Sequence, residues 1–346
     1  MSSVSSTPIR KILIATYGDP SVVSIVDDTI PSPPTDHAQV KVIYSGMSGA
    51  DQQMRQGTYP MQKKAPLTPG YCVVGRIVSN GPSASKFYPG DMVACLSVYD
   101  GQSTLVNLPE KYLIRVPDGV DLQQAEALVL DWNTAYGMVH RQAKVTKGQR
   151  VFIHGLSGAV GFALLKLCLL QGAECYGTAS ESNHPRLREE GAKPFVYSNK
   201  DWIMAMNSIG GAHAVFDPLG YESWDESWQI MAPRSEGGGH LVGYGGNLNM
   251  LNDEKPRSQI PSVTKLLARN LVPGCPNKTS FYYIGRDQKT FEPELKELFK
   301  LQLEGKIDVP IKKVVTLDEV PETHKIWTKL GGIGSVIVKV NEEDKA

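Results

Sequence analysis

The sequence predicts an α/β protein with two domains, one of which is built on a doubly wound parallel sheet. A length of 346 residues suits roughly two domains. The first 130 residues or so are rich in β-branched residues and turn signals, which favours a mostly β domain. From about residue 131, short apolar strands alternate with helices, and this alternation is typical of a parallel sheet with helices on both faces.

The β domain is predicted from residue 1 to residue 130. Pro-Gly pairs at Pro69-Gly70 and Pro89-Gly90 are turn signals that separate short apolar runs. The strands predicted from these runs are 40–44, 73–78 and 92–96.

The parallel-sheet domain is predicted from residue 131 to residue 283. A helix at 131–143 leads to an apolar strand at 151–154, a glycine-rich turn and an apolar helix at 160–171. The elements predicted next are strand 175–178, helix 185–190 and strands 195–197, Ala214–Asp217 and His240–Gly243.

After about residue 283 the pattern changes again. It predicts a helix at 293–304, a strand at 314–317, a helix at 320–329 and a final strand at 336–340. We expect this tail to return to the β domain, which would then comprise residues 1–130 and 284–346.

A glycine-rich loop joins the first predicted strand of the parallel sheet to the helix that follows it. The loop reads His154-Gly155-Leu156-Ser157-Gly158-Ala159-Val160-Gly161, and strand, turn and helix are the context that a dinucleotide-binding fingerprint requires. Gly155 allows the tight turn, Gly158 lets the backbone approach a pyrophosphate, and Gly161 lets the helix pack closely on the strand. Ser157 offers a hydroxyl to phosphate, and the helix start at Ala159 and Val160 offers N–H groups and a positive dipole end. The alternative is a glycine-rich turn that serves packing alone.

The end of the second parallel strand bears on the choice between NAD and NADP. An acidic residue there holds the ribose 2′-hydroxyl and repels a 2′-phosphate. This strand ends Thr178-Ala179-Ser180, without an acid, and Arg186 follows nearby. The sequence therefore favours NADPH, although Glu181 opposes a phosphate and Arg186 could equally belong to a solvated helix face.

No pattern in the sequence predicts a metal site or a serine nucleophile. The five cysteines include no Cys-x-x-Cys pair, and Cys72 with Cys95 cannot close a four-ligand site. Ser157 lacks the Gly-x-Ser-x-Gly spacing of a nucleophile elbow. Without a metal, hydride transfer favours an acceptor carbon that is already activated by conjugation, together with a proton donor for the charge that develops.

Composition limits the partners and the compartment. Lys+Arg and Asp+Glu both number 36, and a neutral chain is not expected to bind nucleic acid. No apolar run approaches the roughly 20 residues that span a bilayer, so no membrane insertion is predicted. The polar N-terminus does not resemble a secretory signal, and free thiols suit a reducing compartment, so the sequence favours the cytoplasm.

Several segments together resemble one known family over nearly the whole chain. They are Gly49-Ala50-Asp51 with Arg55-Gln56-Gly57-Thr58-Tyr59-Pro60, Asn133-Thr134-Ala135-Tyr136, the loop from His154 to Gly161, Val215-Phe216-Asp217 and Thr279-Ser280-Phe281-Tyr282. The sequence resembles the zinc-free quinone oxidoreductase branch of the medium-chain dehydrogenase/reductase superfamily. Tyr71 and Cys72 stand where the zinc enzymes of that superfamily have the His and Glu of Gly-His-Glu-x-x-Gly.

The resemblance implies a discontinuous GroES-like β domain and a Rossmann domain, with NADPH and substrate in the cleft between them. It implies a homodimer through strands near residues 279–284. The cofactor contacts that it implies fall on Ser48, Asn133, Thr134, Tyr197, Tyr244, Phe281 and Tyr282. Ser48 stands where the family often has Asn, Asn183 where a phosphate-binding Lys is common, and Ser335 where a Gly-Lys pair often precedes the last strand.

Tyr59 is the candidate catalytic residue. In the related enoyl-thioester reductases, the tyrosine of the Gly-x-Tyr-Pro segment donates a proton, and that tyrosine corresponds to Tyr59. The alternative role for Tyr59 is packing on the domain surface.

Three functions remain open from the sequence. The first is a zinc-independent, NADPH-dependent reductase of an activated C=C bond in an enone, enoyl compound or quinone. The second is a dedicated tailoring enoyl reductase of secondary metabolism that acts on a polyketide-like substrate. The third, favoured only by Ser48, is an NADPH-binding regulatory protein without catalysis.

Overall fold

A computed structural model describes residues 6–252 and 254–343, and within these ranges the chain forms two compact units. Unit 1 comprises the described residues up to Leu130, Gly285–Gly331 and the described residues from Ser335 onward. Unit 2 comprises Asp131–Ile284 and Gly332–Gly334. The outermost residues of the predicted β domain, 1–5 and 344–346, lie outside the described residues.

Unit 1 is built on two sheets within its described residues. Its strands are β1 (Ser6–Ile14), β2 (Val23–Pro31), β3 (His37–Met47), β4 (Val73–Asn80), β5 (Met92–Cys95), β6 (Leu105–Pro109) and β7 (Ile114–Arg115), with two C-terminal strands described below. β1 and β2 form an antiparallel ribbon. The larger sheet pairs β3 with β4, β4 with β5 and β5 with β7, all antiparallel, and β6 also pairs with β3.

Two helices belong to the N-terminal part of unit 1. They are α1 (Gly49–Gln56), which follows β3, and α2 (Leu122–Ala127), which follows β7. α1 begins with a capping box at Ser48 and ends at Gly57, whose φ of 75° is in the left-handed region.

Unit 2 contains a parallel sheet whose described strands have the order expected of a doubly wound dinucleotide-binding fold. Its elements in chain order are α3 (Asn133–Gly137), β8 (Arg150–His154), α4 (Ala159–Leu170), β9 (Glu174–Ala179), α5 (His184–Glu189), β10 (Lys193–Val196), α6 (Asp201–Ser208), β11 (Ala214–Asp217), α7 (Ser223–Gln229), β12 (His240–Gly243), α8 (Leu248–Leu251), α9 (Ile260–Ala268) and β13 (Lys278–Phe281). The strand order is β10-β9-β8-β11-β12-β13, and every neighbouring pair is parallel. This is the 3-2-1-4-5-6 order of the Rossmann fold, and the predicted fold class is confirmed.

The tail returns to the larger sheet of unit 1. Its elements are α10 (Phe291–Leu303), β14 (Ile311–Thr316), α11 (Val320–Ile326) and β15 (Ser335–Lys339). β15 pairs antiparallel with β3 and parallel with β14, so the last strand closes on a strand nearly 300 positions earlier.

Two boundaries differ from the sequence-based ones. Ile284 and Gly332–Gly334 belong to unit 2 rather than to the β domain. The second difference has a local cause: the Gly334 N–H donates to the Ser157 carbonyl oxygen at 3.1 Å, and Gly334 also forms a β-bridge with Gly158. A short piece of the tail therefore pairs with the glycine-rich loop.

The predicted helix at 131–143 is more irregular than its sequence suggested. Leu128–Trp132 and Met138–Ala143 are π-helical turns on either side of α3. Only the centre of this segment is therefore a regular α-helix. Helices α6, α7 and α9 were not predicted, because they are short and lie between glycine-rich turns that dominate the local pattern.

Burial explains why the parallel strands read as unbroken apolar runs. Residues 151–153 of β8, 214–216 of β11 and 241–242 of β12 are all buried, as expected of strands covered on both faces by helices. Phe152, Trp202 and Trp224 are large members of this core. Among the described residues, no helix is both long and apolar enough to cross a membrane.

Candidate functional site

The glycine-rich loop of unit 2 lies between the carboxyl end of β8 and the first turn of α4. Gly155 has a φ of 73°, which only glycine adopts without strain, and its carbonyl oxygen accepts the Gly158 N–H at 2.9 Å. Gly158 is the N-cap of α4 and provides no side-chain cap. The first N–H groups of a helix have no intrahelical acceptor, and residues 158–160 are partly exposed. The loop can therefore present backbone donors to an anion.

Packing within unit 2 requires two glycines here but not the third. A Cβ on Gly161 would lie 2.0 Å from the Gly155 carbonyl oxygen, and one on Gly177 of β9 would lie 2.0 Å from the Ile153 carbonyl oxygen. A Cβ on Gly158 would lie 3.3 Å from the Gly155 carbonyl oxygen, which a small shift can accommodate. Internal packing thus explains Gly161 and Gly177, whereas close approach by a ligand is the better explanation of Gly158.

A buried hydrogen-bond chain supports the loop from below. The Gly155 N–H donates to the Thr178 hydroxyl oxygen at 3.2 Å, and that oxygen lies 3.4 Å from His154 Nδ1. His154 Nε2 lies 3.0 Å from the Ser227 hydroxyl oxygen. Thr178 and His154 are both buried. Thr178, at the end of the second parallel strand, is also a predicted cofactor contact, and in the structure its hydroxyl binds the loop at Gly155.

The hydrogen-bond chain ends at the carboxylate of Asp217, which lies at the end of β11. The hydroxyls of Ser223 and Ser227 each donate to Asp217 Oδ2 at 2.7 Å. The N–H groups of Leu219 and Gly220 point at Oδ1, at 2.8 and 3.4 Å. The carboxylate is fully buried, yet its donors compensate for the lost water.

The protonation of His154 follows from this arrangement. Burial lowers the pKa of His154, and the Asp217 carboxylate acts in the opposite direction, so the ring is neutral near pH 7. Because the Ser227 proton is directed to Asp217, the Ser227 oxygen accepts the Nε2–H of His154. His154 Nδ1 then accepts from Thr178, and the whole chain from Asp217 to Gly155 has consistent donors and acceptors.

The residues predicted to select NADPH lie at the carboxyl ends of neighbouring strands. Ser180 follows β9 and Tyr197 follows β10, and the last residues of the two strands, Ala179 and Val196, are paired. Both side chains are exposed, Tyr197 to 62%. Arg186 is exposed on α5 and forms an ion pair of 2.6 Å with Glu190.

The unit 2 residues predicted to contact nicotinamide are more buried. Asn133 and Thr134, in α3, are buried, and Tyr244 directly follows β12, where its N–H donates to the Asp217 carbonyl oxygen at 3.2 Å. Burial raises the pKa of Tyr244, and the nearby carboxylates of Asp217 and Asp131 raise it further. Tyr244 therefore stays protonated at physiological pH.

The two aromatic residues near β13 pack against the interior of unit 2. The Tyr282 hydroxyl accepts from Arg141 at 2.9 Å, and a Cβ on Gly137 would lie 2.1 Å from the Tyr282 oxygen. Phe281 meets Trp224 edge to face, with ring centroids 6.0 Å apart. In this structure the contacts of both side chains are with the protein core.

In unit 1, Ser48 serves as the N-cap of α1. Its hydroxyl accepts the Ala50 N–H at 3.2 Å and lies 3.0 Å from Asp51 Oδ2, which also accepts the Ser48 N–H at 2.8 Å. Asp51 Oδ1 accepts the Gly70 N–H at 2.9 Å. Asp51 thus ties the start of α1 to the segment that contains Tyr71.

The two residues at the zinc-ligand positions of the resemblance, Tyr71 and Cys72, form hydrogen bonds inside unit 1. The Tyr59 hydroxyl donates to the Tyr71 hydroxyl at 2.7 Å. The Cys72 thiol donates to Glu126 Oε1 at 2.7 Å, and a Cβ on Gly46 would lie 2.7 Å from both atoms. In the part of the chain that the structure describes, no group of three or more His, Cys, Asp or Glu side chains is placed to hold a metal ion.

The sequence did not reveal the supporting residues Ser223, Ser227 and Glu126. Serines in a short helix and a glutamate in α2 are too common to stand out, and two of their partners are distant in sequence: His154 is 73 residues from Ser227, and Cys72 is 54 residues from Glu126. Their burial is the feature that marks them, and burial of a single polar residue cannot be predicted from the local sequence.

We predict that Ser227→Ala destabilises unit 2 by about 1–3 kcal/mol, because it leaves the buried His154 Nε2–H without its acceptor and removes one donor from Asp217. Urea unfolding of the variant measures this. Ser208→Ala, at an exposed site on α6, is the matched control and should change stability by less than about 0.5 kcal/mol. A Ser227 variant as stable as the wild type would contradict the supporting role of the chain.

Comparisons with known proteins agree with this architecture. Residues 34–138 match the family model of the alcohol dehydrogenase GroES-like domain. The synaptic vesicle membrane protein VAT-1 homolog of Danio rerio is 25% identical over 351 aligned positions, which cover 97% of this chain and 72% of that protein. The quinone oxidoreductase of Pongo abelii is 31% identical over 211 residues, which cover 60% of this chain and 58% of the relative.

The solved structures resemble the chain over its full length. The quinone oxidoreductase of Escherichia coli, solved in complex with NADPH, superposes with a TM-score of 0.80 at 19% identity and covers 96% of this chain and 100% of its own. At that identity the likeness establishes the fold. The chain thus matches the alcohol dehydrogenase GroES-like domain over residues 34–138, is similar in sequence to quinone oxidoreductases over part of its length, and shares their fold.

Proposed function

We propose that this protein is an NADPH-dependent, zinc-independent reductase of an activated C=C bond in a small molecule, such as an enone, an enoyl compound or a quinone. The observation that carries the proposal is the loop between β8 and α4. A Cβ on Gly158 would require only a small shift of the Gly155 carbonyl oxygen, and the backbone donors of the loop are partly exposed at a helix start. These features suit the pyrophosphate of a dinucleotide.

The residues present fit the cofactor. The backbone from Ser157 to Gly161 would hold the pyrophosphate, and the Ser157 hydroxyl would add a donor. Thr134, Tyr244 and Asn133 are the proposed contacts on the nicotinamide side, with Ser48 from unit 1. A bound nicotinamide supplies a hydride, which is the chemistry that none of the side chains can provide.

The proposed preference for NADPH rests on the ends of β9 and β10. Ser180 offers a hydroxyl and no negative charge, and Tyr197 lies beyond the strand paired with β9. Arg186 would have to exchange part of its ion pair with Glu190 for a 2′-phosphate. The NADPH complex of the Escherichia coli quinone oxidoreductase supports the same choice.

The proposed acid is Tyr59. Reduction of a conjugated C=C bond leaves negative charge on the carbonyl oxygen and α-carbon, and this charge requires a proton. Tyr59 is half-buried and its hydroxyl is fixed by a hydrogen bond, so it can be reached by a ligand while keeping a defined orientation.

The proposed partner is a second copy of the chain, paired through β13. β13 is an edge strand of the parallel sheet, and the Asn270 side chain binds the backbone N–H and C=O of Thr279 on its open side, so a second strand would pair from Phe281 onward. Leu271 and Val272, which precede it, are apolar yet 81% and 57% exposed. A second copy would cover this surface.

We predict that Gly158→Ala weakens NADPH binding by at least about tenfold and lowers stability less than Gly161→Ala does, because its methyl group needs only a small shift of the Gly155 oxygen but collides with a pyrophosphate. Gly161→Ala is the matched comparison and should lower stability itself, by about 1–3 kcal/mol, through its clash with the Gly155 oxygen. Calorimetric titration with NADPH and thermal unfolding measure both. Unchanged affinity in Gly158→Ala would remove the loop from the binding site.

We predict turnover of NADPH with members of a panel of enones, enoyl thioesters and quinones, followed by the loss of NADPH absorbance. Tyr59→Phe should lower kcat for enones by about 10²-fold, the lower end of general acid catalysis, because the phenol proton is lost. NADPH binding without oxidation across the whole panel would instead favour a regulatory role.

We predict that the chain is a dimer in solution, and that Leu271→Asp with Val272→Asp makes it monomeric because two carboxylates cannot be buried in an apolar contact. Light scattering during size-exclusion chromatography gives the mass. Met204→Asp, at an apolar residue that is 75% exposed on α6, is the control and should leave the mass unchanged. A monomeric wild type, or a double variant that stays dimeric, would refute pairing at this surface.

A further inference from the structure

Two tyrosines of unit 1, Tyr59 and Tyr71, form a pair that the proposed function uses only in part. Their hydroxyl oxygens are 2.7 Å apart, and their rings meet edge to face with centroids 5.8 Å apart and planes inclined by 74°. Tyr71 is only 1% exposed, whereas Tyr59 is half-buried. A ligand can therefore reach Tyr59, while Tyr71 can act only through Tyr59.

The backbone holds Tyr71 firmly. Its carbonyl oxygen accepts the Val98 N–H at 2.9 Å. The preceding Gly70 is bound at both ends, since its N–H donates to Asp51 at 2.9 Å and its carbonyl oxygen accepts from the Ser97 hydroxyl at 2.9 Å. These hydrogen bonds fix the backbone of Tyr71, from which its buried phenol extends.

Tyr59 lies on the loop that follows α1, and fewer bonds hold it. The Tyr59 N–H donates to Gln62 Oε1 at 2.9 Å, and Gln62 Nε2 donates to the Met54 carbonyl oxygen at 3.1 Å. The Thr58 N–H donates to the Gln53 carbonyl oxygen at 3.0 Å. These bonds position the loop, and the Tyr59 hydroxyl itself is bonded to Tyr71.

We propose that Tyr71 is a positioning residue, which orients the Tyr59 hydroxyl and donates a hydrogen bond to the Tyr59 phenolate that forms when Tyr59 protonates the reduced substrate. This inference rests on the proposed function. Reduction at the β-carbon of an enone, by the hydride that a bound nicotinamide would supply, would leave the C=C π electrons on the carbonyl as an enolate. The Tyr59 O–H bond breaks, its proton bonds to the α-carbon, and its electrons remain on the Tyr59 oxygen until water returns a proton.

The reversal of one hydrogen bond is what gives Tyr71 this role. In the resting pair the Tyr59 hydroxyl donates to Tyr71. A phenol hydroxyl can both donate and accept, so Tyr71 can donate to the Tyr59 oxygen when the Tyr59 O–H turns toward the substrate, before its proton is transferred. Hydrogen bonds to a charged oxygen are roughly twice as strong as neutral ones, so the contact strengthens as the phenolate forms. Zinc enzymes of the superfamily have a ligand at this position, and this chain has a phenol there.

The test compares Tyr71→Phe, Tyr59→Phe and the double variant with an enone, 2-cyclohexenone, and a quinone, 1,4-benzoquinone. Reduction of the quinone places both protons on oxygens that exchange with water, so it does not need a positioned acid. We expect Tyr71→Phe to lower kcat for the enone about tenfold with little change in KM, and to leave quinone reduction unchanged. The double variant should be no slower than Tyr59→Phe, because Tyr71 acts only through Tyr59.

A control variant and a measurement without turnover separate this role from structure. Tyr88→Phe removes a phenol of unit 1 that is 69% exposed, and it should change neither reaction. NMR of protein labelled with ¹³C at the tyrosine ζ-carbon follows the ionisation of Tyr59 in the free protein. We expect Tyr71→Phe to move that titration upward by about one pH unit, since the donor to the phenolate is gone.

Each outcome decides for or against Tyr71. Unchanged enone reduction in Tyr71→Phe, or equal losses with enone and quinone alongside a lower melting temperature, would overturn the inference. An absence of NADPH oxidation by the wild type with both substrates would refute the proposed function instead. In that case the NMR titration still tests the pair, and an unshifted Tyr59 would refute it.

Discussion

The buried carboxylate of Asp217 is the constraint on which the order of unit 2 depends. It accepts hydrogen bonds from two serines of α7 and from the loop after β11. Through Ser227 and His154 it reaches Thr178 and the first N–H of the glycine-rich loop. A carboxylate removed from water is stable only when its oxygens are satisfied, so this network has one good arrangement and few alternatives. The loop is thereby held in one conformation before any ligand arrives, which lowers the ordering cost of binding.

The sequence predicted the glycines of this loop but not what holds them. Gly155 and Gly161 could be predicted because their reasons are local: a left-handed turn, and a helix that passes within contact distance of a carbonyl oxygen. Thr178 was predicted to contact the cofactor because of its position at a strand end, and the sequence did not reveal that its hydroxyl also supports the loop. Ser227 could not be found, because a partner 73 residues away in sequence leaves no periodic pattern. Hydrophobic periodicity and turn-forming residues indicate local structure, whereas a buried hydrogen-bond network joins residues that are distant in sequence.

The same limit applies to unit 1. Its apolar strands and the return of the tail were predictable, since alternation and turn signals are local. The short helices and the pairing of β15 with β3 were not, because register between distant strands depends on the assembled core. The Tyr59–Tyr71 contact is of the second kind. It joins a loop after a helix to the segment before β4, and the Asp51–Gly70 hydrogen bond brings those segments together.

The two residues that replace the zinc ligands of the resemblance indicate which acceptors suit this protein. Cys72 donates to the buried Glu126, and Tyr71 bonds to Tyr59. Phenols supply protons and hydrogen bonds but do not polarise an isolated carbonyl as strongly as a metal ion does. A conjugated acceptor needs less polarisation of its carbonyl group, because its π system carries the incoming charge away from the carbon that receives the hydride. A pair of phenols, one exposed to ligand and one anchored in the core, can neutralise that charge where it appears. Under the proposed function, this donor set suits reduction of conjugated C=C bonds better than reduction of simple ketones.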